Sequence, residues 1–249
     1  MSQQDWTLLL VCAFFAQTIG TMAGFGAATL LTPIATLFID VKTAIAIVAC
    51  FHLFGNVSRM VFFWRSIDWS VWAQFGLIGI AFSLLGARLT AVLPASVMEL
   101  LLGAFLVLYV ALSQSAASHL ALPKTPLTLM AGGAISGLIS GLIGTGGAIR
   151  SACLLAFGLP SETYLATSGA ISLFVDATRV PVYVSQRLIP GALWMVVASL
   201  VAVSFLGTWL GQWLVRRVPA ERFTQLIRAL LFAMGCRFLF TGWLALGSR

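Results

Sequence analysis

The stretch of sequence that decides the fold runs from residue 144 to residue 179 and begins Gly144-Thr145-Gly146-Gly147. A weaker copy lies 120 residues earlier, where residues 24–59 are identical to it at eight of 36 positions with no gap. The matches include the glycines that open both copies and the arginines that close them, Arg59 and Arg179. An internal repeat of this kind constrains the architecture before any single helix is assigned. The sequence therefore predicts one module that is present twice.

The composition is that of a membrane protein. Hydrophobic residues make up 60% of the chain and charged residues only 8%, which is far from the usage of soluble domains. Several charge-free runs are long enough to cross a hydrocarbon core of about 30 Å, which takes about 20 helical residues. These runs cover residues 6–39, 69–87, 100–123, 125–149 and 188–215. We predict an all-α, polytopic helical membrane protein.

The first hydrophobic segment of each half is too long for one helix. Residues 6–39 and 126–159 each hold 34 residues, and a straight helix of that length would measure about 50 Å. Glycines interrupt both segments near the middle, so each is predicted to form two shorter helices joined by a turn. Three ordinary spans follow in each half. The predicted division is a first repeat at 1–115, a linker at 116–125 and a second repeat at 126–249.

Loop charges fix the orientation only in part. Arg216, Arg217 and Arg222 share one loop, and an excess of arginine is typical of cytoplasmic loops. With this loop inside, both termini are predicted to be periplasmic, whether the repeats are inverted or parallel. The length of the broken segments favours inverted repeats. Residues 1–5 lack the basic start of a cleavable signal, so the first hydrophobic segment is expected to stay in the mature protein.

Polar residues fall on one face of the second span in each half. The first set is His52, Asn56 and Arg59, and the second is Ser168, Ser172, Asp176 and Arg179. Their i, i+4, i+7 spacing points the side chains in one direction. An arginine near the bilayer centre costs about 3 kcal/mol, so arginines at matching positions favour a shared polar interior. Two structural alternatives stay open: Arg59 could reach the interface, and Asp176 could simply neutralise Arg179.

The charges of the predicted interior favour an anion as the substrate. Arginines outnumber the single carboxylate there, and helix N-termini at the glycine breaks add partial positive charge and free N–H groups. Broken helices at matching positions of two repeats indicate a transporter's binding site. Close helix packing is the alternative role of the glycines. The predicted substrate-binding residues are Gly24, Gly26, Asn56, Arg59, Gly144, Thr145, Gly146, Gly147, Arg150, Ser168, Ser172 and Arg179, while Asp176 and His52 are predicted to carry a coupling proton.

Other classes of function lack support in the sequence. The chain has only two histidines, with no metal-ligand spacing and no Ser-His-Asp set, and the Gly144–Gly147 motif lacks the Lys-Ser/Thr of a phosphate-binding loop. The four cysteines lie in apolar spans without paired spacing, which predicts buried thiols. We predict no enzymatic activity, no cofactor, no metal and no nucleic-acid partner. The predicted partners are a small anionic substrate and the lipid bilayer, and a homodimer is left open.

These residues resemble the TauE/SafE family of sulfite exporters, which has four plus four helices. The resemblance covers nearly the whole chain. It is carried by Gly24-x-Gly26 with Pro33 after the break, by Gly144-x-Gly146-Gly147, and by Ala166-Thr167-Ser168 at the start of the sixth span. It implies export of sulfur oxyanions or organosulfonates across the bacterial inner membrane without an ATPase partner.

Three functional hypotheses follow. The leading one is a secondary anion transporter that works by alternating access at a cationic midplane site, coupled to protons or driven by the membrane potential. A passive anion channel is the second, and a membrane accessory protein without flux is the third. Anion flux into liposomes that hold only this protein separates the third from the other two.

Overall fold

The computed structural model describes residues 2–23, 26–114, 123–215 and 221–247, and no strand occurs among them. The helices are α1 (Gln3–Ala23), α2 (Ala28–Ala35), α3 (Val41–Phe63), α4 (Trp69–Val92), α5 (Ala95–Gln114), α6 (Pro126–Ile143), α7 (Gly147–Ala156), α8 (Ser161–Ser185), α9 (Trp194–Val215) and α10 (Glu221–Gly247). Gly24, Arg216, Arg217 and most of the predicted linker lie outside the described residues, as do the side chains of Arg59 and Arg222.

Polar caps set where several helices begin. The side chain of Asp40 accepts hydrogen bonds from the backbone N–H groups of Lys42 and Thr43 at the start of α3. Asp68 does the same at the start of α4, and Thr125 caps α6 immediately before Pro126. These side chains satisfy N–H groups that have no partner within the helix, so the sequence itself specifies these helix starts.

Six described helices are long and apolar enough to cross a membrane: α1, α4, α5, α6, α9 and α10. The helices α3 and α8 contain 23 and 25 residues, which is sufficient length for a span, but they carry polar residues. Residues 43–52 of α3 and 166–172 of α8 are all buried. A helical stretch that is buried on every side lies inside a bundle, so the other helices enclose these two stretches, although Val61 of α3 and Val184 of α8 are exposed. The prediction of an all-helical, multi-pass membrane protein is confirmed for the described residues.

The long helices pair reciprocally between the two parts of the chain. The helix α1 packs against α9 and α6 packs against α4, while α3 pairs with α8 and α5 with α10. Small residues make the α4–α6 contact very close, because a Cβ at Gly137 would overlap the Gly79 carbonyl and one at Gly141 would overlap that of Ser83. Close backbone approach through small residues is how membrane helices associate without a hydrophobic driving force.

The short helix α7 runs back along α6. A Cβ at Gly132 of α6 would lie 2.6 Å from Cys153 Sγ of α7, and Ser136 donates a hydrogen bond of 2.9 Å to the carbonyl of Gly146. The loop after α7 reaches the start of α6, since a Cβ at Gly158 would lie 3.2 Å from Lys124 Nζ. The segment that contains α6 and α7 therefore begins and ends on the same side of the bundle.

Two of the four cysteines match the predicted burial. Cys50 and Cys153 are buried and Cys12 is partly buried, all as free thiols. Cys236 is exposed on α10, so the prediction of a buried thiol is wrong at this position. Both the core and the lipid-facing surface of a membrane bundle are apolar, so an apolar sequence context could not distinguish them.

Candidate functional site

The polar residues predicted on α8, together with one tyrosine before them and one after them, form one buried stripe. Its members, from the beginning of the helix to its end, are Tyr164, Ser168, Ser172, Asp176, Arg179 and Tyr183, and all are buried. At 1.5 Å per residue the stripe spans about 28 Å, which is close to the thickness of the hydrocarbon core. The stripe is therefore long enough to carry polar groups through most of the thickness of a membrane, within the protein interior.

Asp176 is the centre of a network that joins α3 to α8. His52 Nδ1 lies 2.8 Å from Asp176 Oδ2, and Asn56 Nδ2 donates to the same oxygen at 3.1 Å. Arg179 donates to Oδ1 from Nε at 2.8 Å, and its Nη2 lies 2.7 Å from that oxygen. An ionised carboxylate can only accept hydrogen bonds, so these groups all direct protons at it. One carboxylate thus links the two parts of the chain.

Each of the three nitrogens of the Arg179 guanidinium has a protein acceptor. Its Nε and Nη2 bind Asp176, and Nη1 donates to the carbonyl of Ser140 in the last turn of α6. Tyr183 donates to the next carbonyl, that of Gly141, and Thr90 of α4 donates to the same oxygen at 3.0 Å. The Ser140 carbonyl already accepts the last backbone hydrogen bond of α6, at 3.0 Å, and a carbonyl oxygen can accept a second one. Arg179 therefore helps to hold the end of α6 in place.

Arg150 is a buried cation with donor capacity to spare. It lies in the first turns of α7 and is 3% exposed. Its Nε donates to Ser168 Oγ at 2.9 Å, whereas its Nη2 has no hydrogen-bond partner within the described part of the chain. Long side chains on a helix lean toward its N-terminus, which here is the glycine turn that begins at Gly144. The arrangement offers an N–H group and a positive charge to an anion.

The glycine turn itself supplies one more unpartnered group. Gly144 ends α6 in the left-handed region, with φ of 80°, which glycine adopts without a steric penalty. The next residue, Thr145, is 1% exposed, and its Oγ1 has no partner among the described residues. The Thr145 hydroxyl and the Arg150 guanidinium are therefore further donors at the beginning of α7, in addition to its first N–H groups.

Comparison with known protein families identifies the family of this chain. It matches the family described as sulfite exporter TauE/SafE over residues 9–238. The chain belongs to the TauE/SafE family. The resemblance predicted from the sequence is thereby confirmed, and the protein is a multi-pass membrane protein of a sulfite-exporting family. No curated protein and no solved structure matches the chain.

The TauE/SafE chain brings its predicted site residues together in two groups. One is the Asp176 network with His52, Asn56 and Arg179, and the other consists of Arg150, Ser168 and the turn at residues 144–147. Ser172 lies between them on α8 and donates to the carbonyl of Ser168 at 3.0 Å. Gly26, with φ of 91°, lies against the first group, because a Cβ there would be 2.7 Å from His52 Nε2. The positions of the Gly24 backbone and the Arg59 side chain are outside the described residues.

Sequence analysis missed several residues at these two groups. Tyr183 lies four residues after Arg179, so extending the same helical spacing by one turn could have found it. Thr29 and Thr32 of α2 are buried and polar within an otherwise apolar helix. Polar residues in the short second helix of each broken segment are the sequence signal that could have identified them.

The described side chains do not form a metal site. Among the residues placed in the structure, no three His, Cys, Asp or Glu side chains lie close enough together to hold an ion. The chemistry available at the two groups is the binding of charge and the transfer of protons.

Proposed function

We propose that this protein exports small sulfur-containing anions, such as sulfite or organosulfonates, and binds them at Arg150. Family membership supports this class of substrate, and the buried guanidinium supports this location for the site. A buried charge without a partner is strongly unfavourable, and among the described residues Arg150 has no acidic partner. An anion bound at Nη2 would supply the missing charge. The buried Arg150 Nη2, which has no partner among the described residues, is the observation that carries the proposal.

The contacts favour Arg150 over Arg179 as the anion ligand. Every nitrogen of Arg179 already has a protein acceptor, so an anion would have to displace Asp176 or the Ser140 carbonyl. Arg150 needs no such exchange. The N-terminus of the ten-residue helix α7 adds free N–H groups and partial positive charge, as in other anion sites. We propose Ser168 and Thr145 as neutral partners in the same site, and Arg59 stays a predicted ligand.

The packing also supports two inverted repeats. If the chain is divided into 1–115, 116–125 and 126–249, helix α1 corresponds to α6 and helix α4 corresponds to α9. The observed pairs are then reciprocal, because α1 packs against α9 as α6 packs against α4. Because the segment of α6 and α7 returns to its starting side, the second repeat crosses the membrane three more times, which is an odd number. We infer alternating access around a midplane site on this basis, since inverted repeats with broken helices are typical of such transporters.

We propose that the Asp176 network couples transport to protons. His52 is the one side chain of the network whose ordinary titration lies near neutral pH, and its Nδ1 contacts the carboxylate at 2.8 Å. A proton gained or lost by this pair would change the charge that joins α3 to α8. A passive channel would instead show sulfite flux that ignores a proton gradient across the liposome membrane, and an accessory protein would show no flux.

Replacing Arg150 tests the proposed site. Arg150→Ala is expected to weaken sulfite binding by about 10- to 150-fold, because it removes a charge-assisted hydrogen bond worth about 1.5–3 kcal/mol. Arg150→Lys should restore only part of the affinity, since an ammonium lacks the planar fork of the guanidinium. The measurements are calorimetric sulfite binding in detergent and sulfite flux into proteoliposomes.

The matched control for Arg150 is Arg237→Ala. Arg237 also lies in a membrane-spanning helix, but it is exposed and stacks on Phe238, with the guanidinium carbon 5.5 Å from the ring centre. Binding and flux should be unchanged in this variant. If Arg150→Ala binds sulfite within twofold of the unmodified protein, the anion site lies elsewhere, and Arg59 and Arg179 become the next candidates.

The proposed location is the bacterial inner membrane with both termini periplasmic. A cysteine at Lys124, which is exposed at the start of α6, should react with an impermeant reagent only from the cytoplasmic side. Reporter fusions at Met1 and Arg249 should both read as periplasmic. Labelling of residue 124 in intact cells would contradict inverted repeats with the arginine-rich loop inside.

A further inference from the structure

Two threonines of α2 hold buried hydroxyl groups that the protein leaves unused. Thr29 is 1% exposed and Thr32 is 0% exposed, and neither Oγ1 has a hydrogen-bond partner among the described residues. Buried hydroxyls nearly always have one. Other helical threonines here bond to the preceding turn, as Thr18 does to the Phe14 carbonyl at 2.8 Å. A threonine hydroxyl that does not bond to the carbonyl of the preceding turn is available to a ligand.

Thr32 lies at the second glycine turn. A Cβ at Gly144 would be 3.3 Å from Thr32 Oγ1, so the bare backbone of Gly144 is what lets α2 approach. The neighbouring residue Thr145 carries a second unpartnered hydroxyl, and Arg150 of α7 carries the unpartnered Nη2. Unused donors therefore occur on α2, in the turn and on α7, and the α2 hydroxyl lies beside the turn that leads into α7.

We propose that Thr32 is a substrate ligand, and that the anion site lies between α2 and α7 with donors from both repeats. This inference rests on the proposed function and deepens it. Arg150 supplies the one positive charge, Thr145 a hydroxyl from the second repeat, and Thr32 a hydroxyl from the first. Thr29, one turn earlier on α2, lies on a neighbouring face of the helix and extends the hydroxyl-bearing surface.

The number of donors indicates the class of substrate. A sulfite ion or a sulfonate group presents three oxygens in a pyramid, whereas a carboxylate presents two oxygens in a plane. With Arg150 Nη2, Thr145 Oγ1 and Thr32 Oγ1 as donors, a three-oxygen group leaves none of them unbonded. A carboxylate could also accept from all three donors, because each of its oxygens can take more than one hydrogen bond, but two donors would then have to share one oxygen. We therefore expect the site to prefer an SO₃ group, which gives each donor its own oxygen.

The test compares Thr32→Val with Thr32→Ser. Valine keeps the branched shape and removes the hydroxyl, so sulfite affinity should fall about 3- to 10-fold, the loss expected for one neutral hydrogen bond. Serine should bind within twofold of the unmodified protein. The preference for methanesulfonate over acetate, measured by competition with sulfite, should shrink in Thr32→Val by the same factor. Thr145→Val should behave like Thr32→Val.

The melting temperature supplies the second measurement. Because the Thr32 hydroxyl has no acceptor in the described structure, Thr32→Val should not lower the melting temperature of the ligand-free protein. Thr32→Val should, however, reduce the increase in melting temperature that saturating sulfite produces. The control is Thr18→Val, which removes a hydroxyl already bonded to a carbonyl and should leave sulfite affinity unchanged.

The outcomes separate this inference from the proposed function. If sulfite binds and Arg150→Ala weakens it, but Thr32→Val and Thr145→Val bind like the unmodified protein, the shared site is wrong and the proposed function stands. A change in sodium dependence of flux without a change in anion affinity would also overturn it, because Thr32 would then serve a cation. If the unmodified protein binds no sulfite, the proposed function itself fails.

Discussion

Asp176→Ala is expected to lower the free energy of unfolding by about 3–5 kcal/mol, the cost of breaking a buried ion pair from one side. The carboxylate accepts hydrogen bonds from Asn56 and Arg179 and contacts His52. Without it, the Arg179 guanidinium stays buried at 2% exposure with its charge unpaired. The measurement is the unfolding midpoint of the purified protein in detergent, together with the yield of monodisperse protein.

A double substitution provides the control for Asp176. In Asp176→Leu/Arg179→Met both charges are absent, so most of the lost stability should return, because apolar replacement of a whole buried pair is often neutral. The coupling between the two single substitutions should exceed about 1 kcal/mol, as for residues in one network. A melting point of Asp176→Ala equal to that of the unmodified protein would show that the pair does not hold α3, α6 and α8 together.

Gly146→Val is expected to prevent formation of the folded protein. A Cβ at Gly146 would overlap the Ser136 carbonyl oxygen and Ser140 Oγ of α6, and helix backbone cannot yield as a flexible side chain can. Its φ of −77° is open to any residue, so the lack of space and not the backbone conformation requires glycine. The expected cost exceeds about 3 kcal/mol, the upper end of ordinary overpacking. Size-exclusion chromatography after detergent extraction should show aggregated protein.

The matched substitution is Gly191→Val. No atom lies within 4 Å of a Cβ at Gly191, so this variant should run as the unmodified protein does. If Gly146→Val were monodisperse but inactive in sulfite flux, Gly146 would be a substrate-contacting residue, as the glycine pattern predicts. The contacts of Gly146 favour the packing alternative.

The sequence was sufficient for the helical membrane class, and the reason is physical. Lipid forces every backbone group to bond within its own segment, so charge-free runs must form helices. Asp40 and Asp68 could also be identified as caps from their positions. The pairing of α1 with α9 could not be predicted, because lipid-facing and protein-facing surfaces are both apolar and a periodic pattern does not tell them apart.

The polar faces of α3 and α8 were predictable from helical spacing, but the contacts that their residues make were not. Helical spacing alone brings Ser168, Ser172, Asp176 and Arg179 onto one face, and the structure places them there, buried. The difference between the arginines depends on contacts distant in the sequence. Arg179 meets the Ser140 carbonyl 39 residues away, and no local pattern encodes that acceptor. The proximity of Thr32 to Gly144 likewise arises only when the two parts of the chain pack together.

The reciprocal pairing of the long helices has a mechanical consequence. Since α1 packs against α9 and α4 against α6, the two parts of the chain cannot separate without breaking backbone-to-backbone contacts at residues such as Gly137 and Gly79. We therefore expect that the alternating access proposed above does not move these two parts as rigid bodies, and that the four long helices stay together as one static frame.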